Sequence, residues 1–132
     1  MDSAAGLSRL VELLATENVI ALDVETALDF SSLCLLQIGT PTRMWIIDAL
    51  RVSDLTPLAT VLGSREIIKV IHNARFERRI LAKQGLEIVA VFDTLDASRQ
   101  HHGRDAFGGH SLGAVVAREL QLQLDKTVQT SN

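Results

Sequence analysis

Two acids spaced two apart, Asp23 and Glu25, interrupt an apolar run rich in β-branched residues, Val19-Ile20-Ala21-Leu22-Asp23-Val24-Glu25-Thr26. Successive side chains of a strand point to opposite faces, so the two acids share one face and Ile20, Leu22 and Val24 the other. Their Cα atoms would lie ~7 Å apart, close enough for both carboxylates to lean onto one cation. A third acid, Glu77, falls one turn into a helix-forming segment that follows a second apolar run, residues 66–72. Were those two runs neighbours, three carboxylates would meet in a hard oxygen site suited to Mg²⁺ or Mn²⁺ rather than zinc. Such sites perform phosphoryl transfer with two metals ~3.5–4 Å apart. The plainer alternative is a half-exposed edge strand whose polar face happens to be acidic, and the stretch alone does not choose.

Around Glu77 stand Arg75, Arg78, Arg79 and Lys83, a local basic cluster in a chain of formal charge −3. It reads either as a solvated helix face or as a docking point for a phosphate backbone beside the metals. With a net negative chain, any nucleic-acid partner has to be held by such a patch or by ions. Aromatic residues make up only 4% of the chain and tyrosine is absent, so there is no broad stacking platform.

The elements that would position these groups follow in order. Leu7, Leu10, Val11 and Leu14 recur at helical spacing over residues 5–17. Strands are expected at residues 19–26, 33–38 and 44–48, joined by loops too short for crossovers and therefore antiparallel. Ser53 or Asp54 caps a helix to about residue 62, closed by Gly63, with Pro57 tolerated near its start. A fourth strand over 66–72 runs into a helix over 74–84 stopped by Gly85. A fifth strand covers 88–92, a helical segment 95–100, and Ser111 caps a last helix carrying Leu112, Val115, Val116 and Leu120. The expectation is an α/β fold: a mixed five-stranded sheet, a three-strand antiparallel meander plus two parallel strands, with helices on both faces.

At 132 residues, 47% hydrophobic and 22% charged, the chain reads as one domain with a proper core. Cys34 is the single cysteine, which excludes a disulfide framework and fits a cytoplasmic setting. No apolar run approaches the ~18 residues needed to cross a bilayer, so no membrane partner is expected.

The ordered motifs carry a family resemblance. Asp23-Val24-Glu25-Thr26 resembles the first motif of the DnaQ-like 3′–5′ exonucleases, whose fold is ribonuclease H-like. Asn73-Ala74-Arg75-Phe76-Glu77 is similar to their second. Leu33-Cys34-Leu35-Leu36-Gln37-Ile38-Gly39, Lys69-Val70-Ile71-His72, Val91-Phe92-Asp93-Thr94, His110-Ser111-Leu112 and Leu124-Asp125-Lys126 resemble the ribonuclease D type in order and spacing, over about residues 17–130. The resemblance implies metal-dependent removal of nucleotides from the free 3′ end of RNA or DNA. Asp23, Glu25 and Glu77 would be its catalytic metal ligands for Mg²⁺ or Mn²⁺.

It also implies that Asn73 and Phe76 touch the terminal nucleotide, Phe76 packing on a base or sugar unless it anchors the core. Thr26, His72, Arg75 and Arg79 join the residues that would meet nucleic acid. Thr26 could equally just end its strand, and His72 could be a core histidine. Asp93 is read as the cap of the helix that follows it. His101, His102 and His110 lack zinc-site spacing.

Two departures from the family stand out. Glu77 occupies a place where the family usually has aspartate. The third motif, a tyrosine or histidine four residues before a fourth acid, is missing before the sequence ends at Asn132. The expectation is a domain truncated before its last helix, either a piece of a longer protein or a naturally shortened one. An impaired exonuclease-like binding module is the alternative to an active nuclease.

Overall fold

Ser3 opens the first helix by accepting a hydrogen bond on its Oγ from the Gly6 N–H at 3.1 Å. In the computed structural model, which describes residues 1–125, that helix is α1 (Ala4–Leu14). Its Leu7, Leu10 and Leu14 are fully buried, as the spacing requires. Two compact units divide the chain, Met1–Asp93 and a second beginning at Thr94.

The first unit holds the sheet. Strands β1 (Val19–Thr26), β2 (Leu33–Gly39) and β3 (Met44–Asp48) form an antiparallel meander. A 3-10 turn (Thr56–Leu58) and the short α2 (Ala59–Leu62) lead to β4 (Ile68–Ile71). Helix α3 (Ala74–Ala82) and β5 (Val91–Asp93) follow. The sheet order is β3-β2-β1-β4-β5, with β4 parallel to both β1 and β5. The mixed five-stranded sheet expected from the sequence is present, and β1 is central rather than an edge strand.

Burial along β1 alternates: Ile20, Leu22 and Val24 are buried while Ala21, Asp23 and Glu25 are exposed. The buried side chains join Leu36, Ile38, Ile47, Ile71, Leu58 and Leu62 in one core cluster with those of α1. Each such side chain contributes about 1.5–3 kcal/mol by leaving water.

Several boundaries differ from the sequence expectation for physical reasons. Strand β4 begins two residues late because residues 64–67 turn around Lys69. That side chain is 0% exposed, and its Nζ donates to the Ser64 and Ile67 carbonyls at 2.6 and 2.8 Å. Burial holds its pKa below the usual lysine range. β5 begins at Val91 because Ala90 takes a left-handed φ of 53°. The cap expected at Ser53 or Asp54 falls instead on Leu55, which has no side-chain cap bond, because the first turn is 3-10; Asp54 Oδ1 accepts from the Thr56 N–H at 3.0 Å within the turn before it. α3 ends in a Schellman arrangement at Gly85, φ 72°, with Leu86 N–H donating to Leu81 O and Gly85 N–H to Ala82 O.

The second unit contains α4 (Thr94–His102) and α5 (Leu112–Leu120), the latter capped by Ser111 Oγ, which accepts from Ala114 N–H at 3.2 Å. The loop between them is tied at its base by His110, whose Nδ1 meets the buried Ser98 Oγ at 2.7 Å. Arg118 adds a hydrogen bond to that hydroxyl at 2.8 Å. No helix among the described residues is long and apolar enough to cross a membrane. Lys126 and the end of the chain to Asn132 lie outside the described residues.

Candidate active site

The acidic face is built by a mismatch in strand length. β4 pairs with β1 only from Val19 to Ala21, so the second half of β1 is partnered by β2 on one side and approached by α3. Asp23 lies just past the point where β4 turns away. It sits opposite Gln37 of β2, whose Nε2 donates to Asp23 Oδ2 at 3.4 Å. The β1–β2 register shifts between Glu25 and Thr26, a bulge of the kind that re-aims side chains at functional edges.

Glu77 comes from the first turn of α3 and is only 3% exposed. Its Oε2 is buried and accepts no hydrogen bond from any described residue. Burial pushes its pKa up to about 7; its own backbone N–H opposes the rise, and the charges of Asp23 and Asp93 add to it. Asp23 is also raised, by lost water first, against a hydrogen bond from the Val24 backbone. This holds although the residue as a whole remains exposed, since protein crowds its flanks. Glu25 is raised by burial and by the Asp23 charge. The three acids therefore share one electrostatic field.

Among the described residues, no three His, Cys, Asp or Glu side chains converge as a finished metal cage. The donor set is oxygen only, and Glu77 Oε2 is an acceptor with no protein donor. Both features fit a hard divalent cation held by Asp23, Glu25 and Glu77.

Asp93 does something the sequence did not disclose. From the end of β5 its Oδ1 accepts the Asn73 N–H at 2.9 Å and its Oδ2 the Ala74 N–H at 2.8 Å. Its carboxylate thus closes the amino end of α3, the helix before it, where negative charge is favoured. Asn73, at φ 68°, makes no side-chain cap bond and keeps its amide exposed. The β4–β5 register, Ile71 opposite Asp93, brings the carboxylate there.

The basic cluster divides by role. Arg75 is exposed. Arg78 donates to the Ile88 carbonyl at 2.7 Å and ties α3 to the segment before β5. The Arg79 guanidinium lies 5.6 Å from the centre of the Phe76 ring. Phe76 is half-buried, packing against the core on one side and meeting Phe30 edge-on at 5.9 Å on another. No spacing in the sequence marks Phe30, and only its return across the α3 turn reveals it. Thr26 is half-buried at the bulge, and His72 is half-buried just beyond β4.

This topology, with acids on the central strand and on the helix after β4, is the ribonuclease H-like fold of an exonuclease domain. The family model described as 3′-5′ exonuclease matches residues 1–132, and the chain belongs to that family. It is 32% identical over 127 residues to DNA polymerase I of Aquifex aeolicus, covering 96% of the chain and 21% of that protein. It is 33% identical over 140 residues to the exosome complex exonuclease RRP6 of Saccharomyces cerevisiae, covering all of the chain and 18% of that protein. Ribonuclease D of Desulfotalea psychrophila is 28% identical, with all of the chain and 36% of that protein covered. The solved catalytic core of RRP6 from Trypanosoma brucei superposes with a TM-score of 0.87 at 38% identity, over all of the chain and 37% of that structure. The chain thus spans about a fifth to a third of the length of these three curated relatives.

Proposed function

We propose that this domain hydrolyses the terminal phosphodiester bond at the free 3′ end of RNA or DNA in a reaction dependent on Mg²⁺ or Mn²⁺. The observation that carries the reading is the unpartnered, buried Oε2 of Glu77, in the field of Asp23, within a 3′–5′ exonuclease fold. Asp23, Glu25 and Glu77 would hold the ions. When bound, such ions activate water and stabilise the leaving oxygen of a phosphoryl transfer.

The chain's own residues supply the rest of the reading. Glu77, raised to about 7, gives up its proton readily near neutrality once a cation approaches. The exposed Arg75 and Asn73 and the ring-stacked Arg79 offer donors for backbone phosphates, while Phe76 offers an apolar surface to the terminal nucleotide. Thr26 and His72 flank the same acids on β1 and after β4.

A second reading is a module that binds ions and a strand end without turnover, which the unclosed arrangement of the three acids favours. Release of mononucleotides from a 3′-hydroxyl strand with Mn²⁺, and none from a 3′-blocked strand or with Asp23→Ala, supports hydrolysis. Tight Mn²⁺ and strand binding with no product at any enzyme concentration supports the binding module instead.

A further inference from the structure

A cavity of the first unit lies away from the acids. It opens where β4 and β5 begin, has a volume of about 460 Å³, and is lined by Arg65, Arg78, Glu87, Ile88, Val89 and Ala90. Asp23 and the first turn of α3 lie instead beyond the other end of β4. That volume falls within the range of small-ligand sites.

The walls of the cavity are fixed by hydrogen bonds. Arg65 rides on the turn before β4, which the inward Lys69 holds through the Ser64 and Ile67 carbonyls. Glu66 N–H adds a bond to Ser64 Oγ at 3.2 Å. Arg78 is pinned by its 2.7 Å bond to the Ile88 carbonyl, and its guanidinium keeps further donors for a ligand. Val89 N–H donates to Leu62 O at 3.1 Å. Ala90 holds its left-handed φ of 53° while its carbonyl accepts the Lys69 N–H at 2.9 Å. Strain of this kind, imposed by neighbours on a residue with a Cβ, gathers at functional sites.

Arg65 and Glu87 are exposed, and neither side chain has a hydrogen-bond or ion-pair partner among the described residues. Two guanidiniums from different elements suit a phosphate dianion, which each can grip with paired donors. A bare phosphate would leave most of the volume empty, and the Glu87 carboxylate would repel it. A ligand that joins a phosphate to hydroxyl groups answers every wall. Its anion meets Arg65 and Arg78, its hydroxyls donate to Glu87, and its carbon skeleton rests on Val89 and Ala90.

We propose that this cavity binds a phosphorylated sugar, the unit common to a free sugar phosphate and a nucleoside monophosphate. The acids on β1 and α3 take no part, so the site stands or falls separately from hydrolysis at those acids.

The test is calorimetric titration of the whole chain with ribose 5-phosphate, uridine 5′-monophosphate and inorganic phosphate, in chelator so that no metal draws a ligand to the acids. Wild type is expected to bind both sugar phosphates more tightly than inorganic phosphate. Arg65→Ala should weaken both by at least about tenfold, the scale of one lost charged contact, with an unchanged melting temperature. Glu87→Gln removes the repulsion and should narrow the gap to inorganic phosphate. Equal affinity for the two sugar phosphates supports a site for the sugar phosphate itself, and tighter binding of the nucleotide supports one that also touches the base. Failure of both to bind wild type at millimolar concentration overturns the proposal. So does an Arg65→Ala protein that binds them as wild type does, or a wild type with one affinity for all three ligands.

Discussion

Asp93 Oδ2 accepts the backbone N–H of Ala74 at 2.8 Å, so the strand at one edge of the sheet fixes the first turn of the helix that carries Glu77. The second oxygen takes the Asn73 N–H. Asp93→Ala should cost about 1–2 kcal/mol, the scale of a missing helix cap, and Asp93→Asn less, because one acceptor survives. Urea denaturation of the three proteins measures it. A stability unchanged in Asp93→Ala would show that water replaces the cap without penalty.

Glu77 makes the metal-free protein pH-sensitive in a definite direction. Its folded pKa, about 7, lies above the ordinary 4.5, so between those values the native state holds a proton that the unfolded chain has released. The contribution is fully present below pH 4.5 and is lost as pH rises through 7. Glu77→Gln cannot ionise, so its stability relative to wild type should climb across that window, by up to about 3 kcal/mol. Melts in chelator at several pH values test this. A difference independent of pH would mean that the Glu77 carboxylate is solvated after all.

Asp23→Ala and Glu25→Ala should each abolish productive Mn²⁺ binding while leaving the fold intact. Both side chains are exposed and contribute nothing to the core, and removing either relieves charge repulsion on its neighbours. Melting temperatures at or above wild type are therefore expected, together with loss of the calorimetric binding signal. Undiminished affinity in both variants would remove the site from this face.

Arg75 and Arg78, three residues apart, should behave differently. Arg75→Ala is expected to weaken single-strand binding and flatten its salt dependence by about 0.7 for each phosphate it no longer neutralises, with little change in stability. Arg78→Ala should instead destabilise by about 1–2 kcal/mol, because a part-buried Ile88 carbonyl is left without its donor. Oligonucleotide titrations at several salt concentrations and denaturant melts separate the two. A steep loss of salt slope in Arg78→Ala alone would reverse the assignment.

Local chemistry made the meander and the caps readable in advance. Alternation in β1, the residues 44–48 of β3, the Ser111 cap and the Gly85 stop all follow from neighbours a few positions apart. What could not be read depends on pairing across the fold. Asp93 reaches back 19 residues to Ala74, and nothing local to it tells a cap for the next helix from one for the previous. Phe30 meets Phe76 only because β1 and α3 come side by side. A lysine in a strand suggests a solvent face, yet Lys69 turns inward because two turn carbonyls happen to need donors there.

That inward lysine also gives the first unit a built-in clock. An amine sealed against two turn carbonyls is shielded from acylating reagents, whereas the exposed Lys83, just past the end of α3, reacts at once. Acetylation of Lys69 can proceed only after the Ser64 and Ile67 carbonyls of the turn before β4 release its amine. Peptide mass spectrometry over a labelling time course would then time the opening of that turn, with no ligand, dye or substitution introduced.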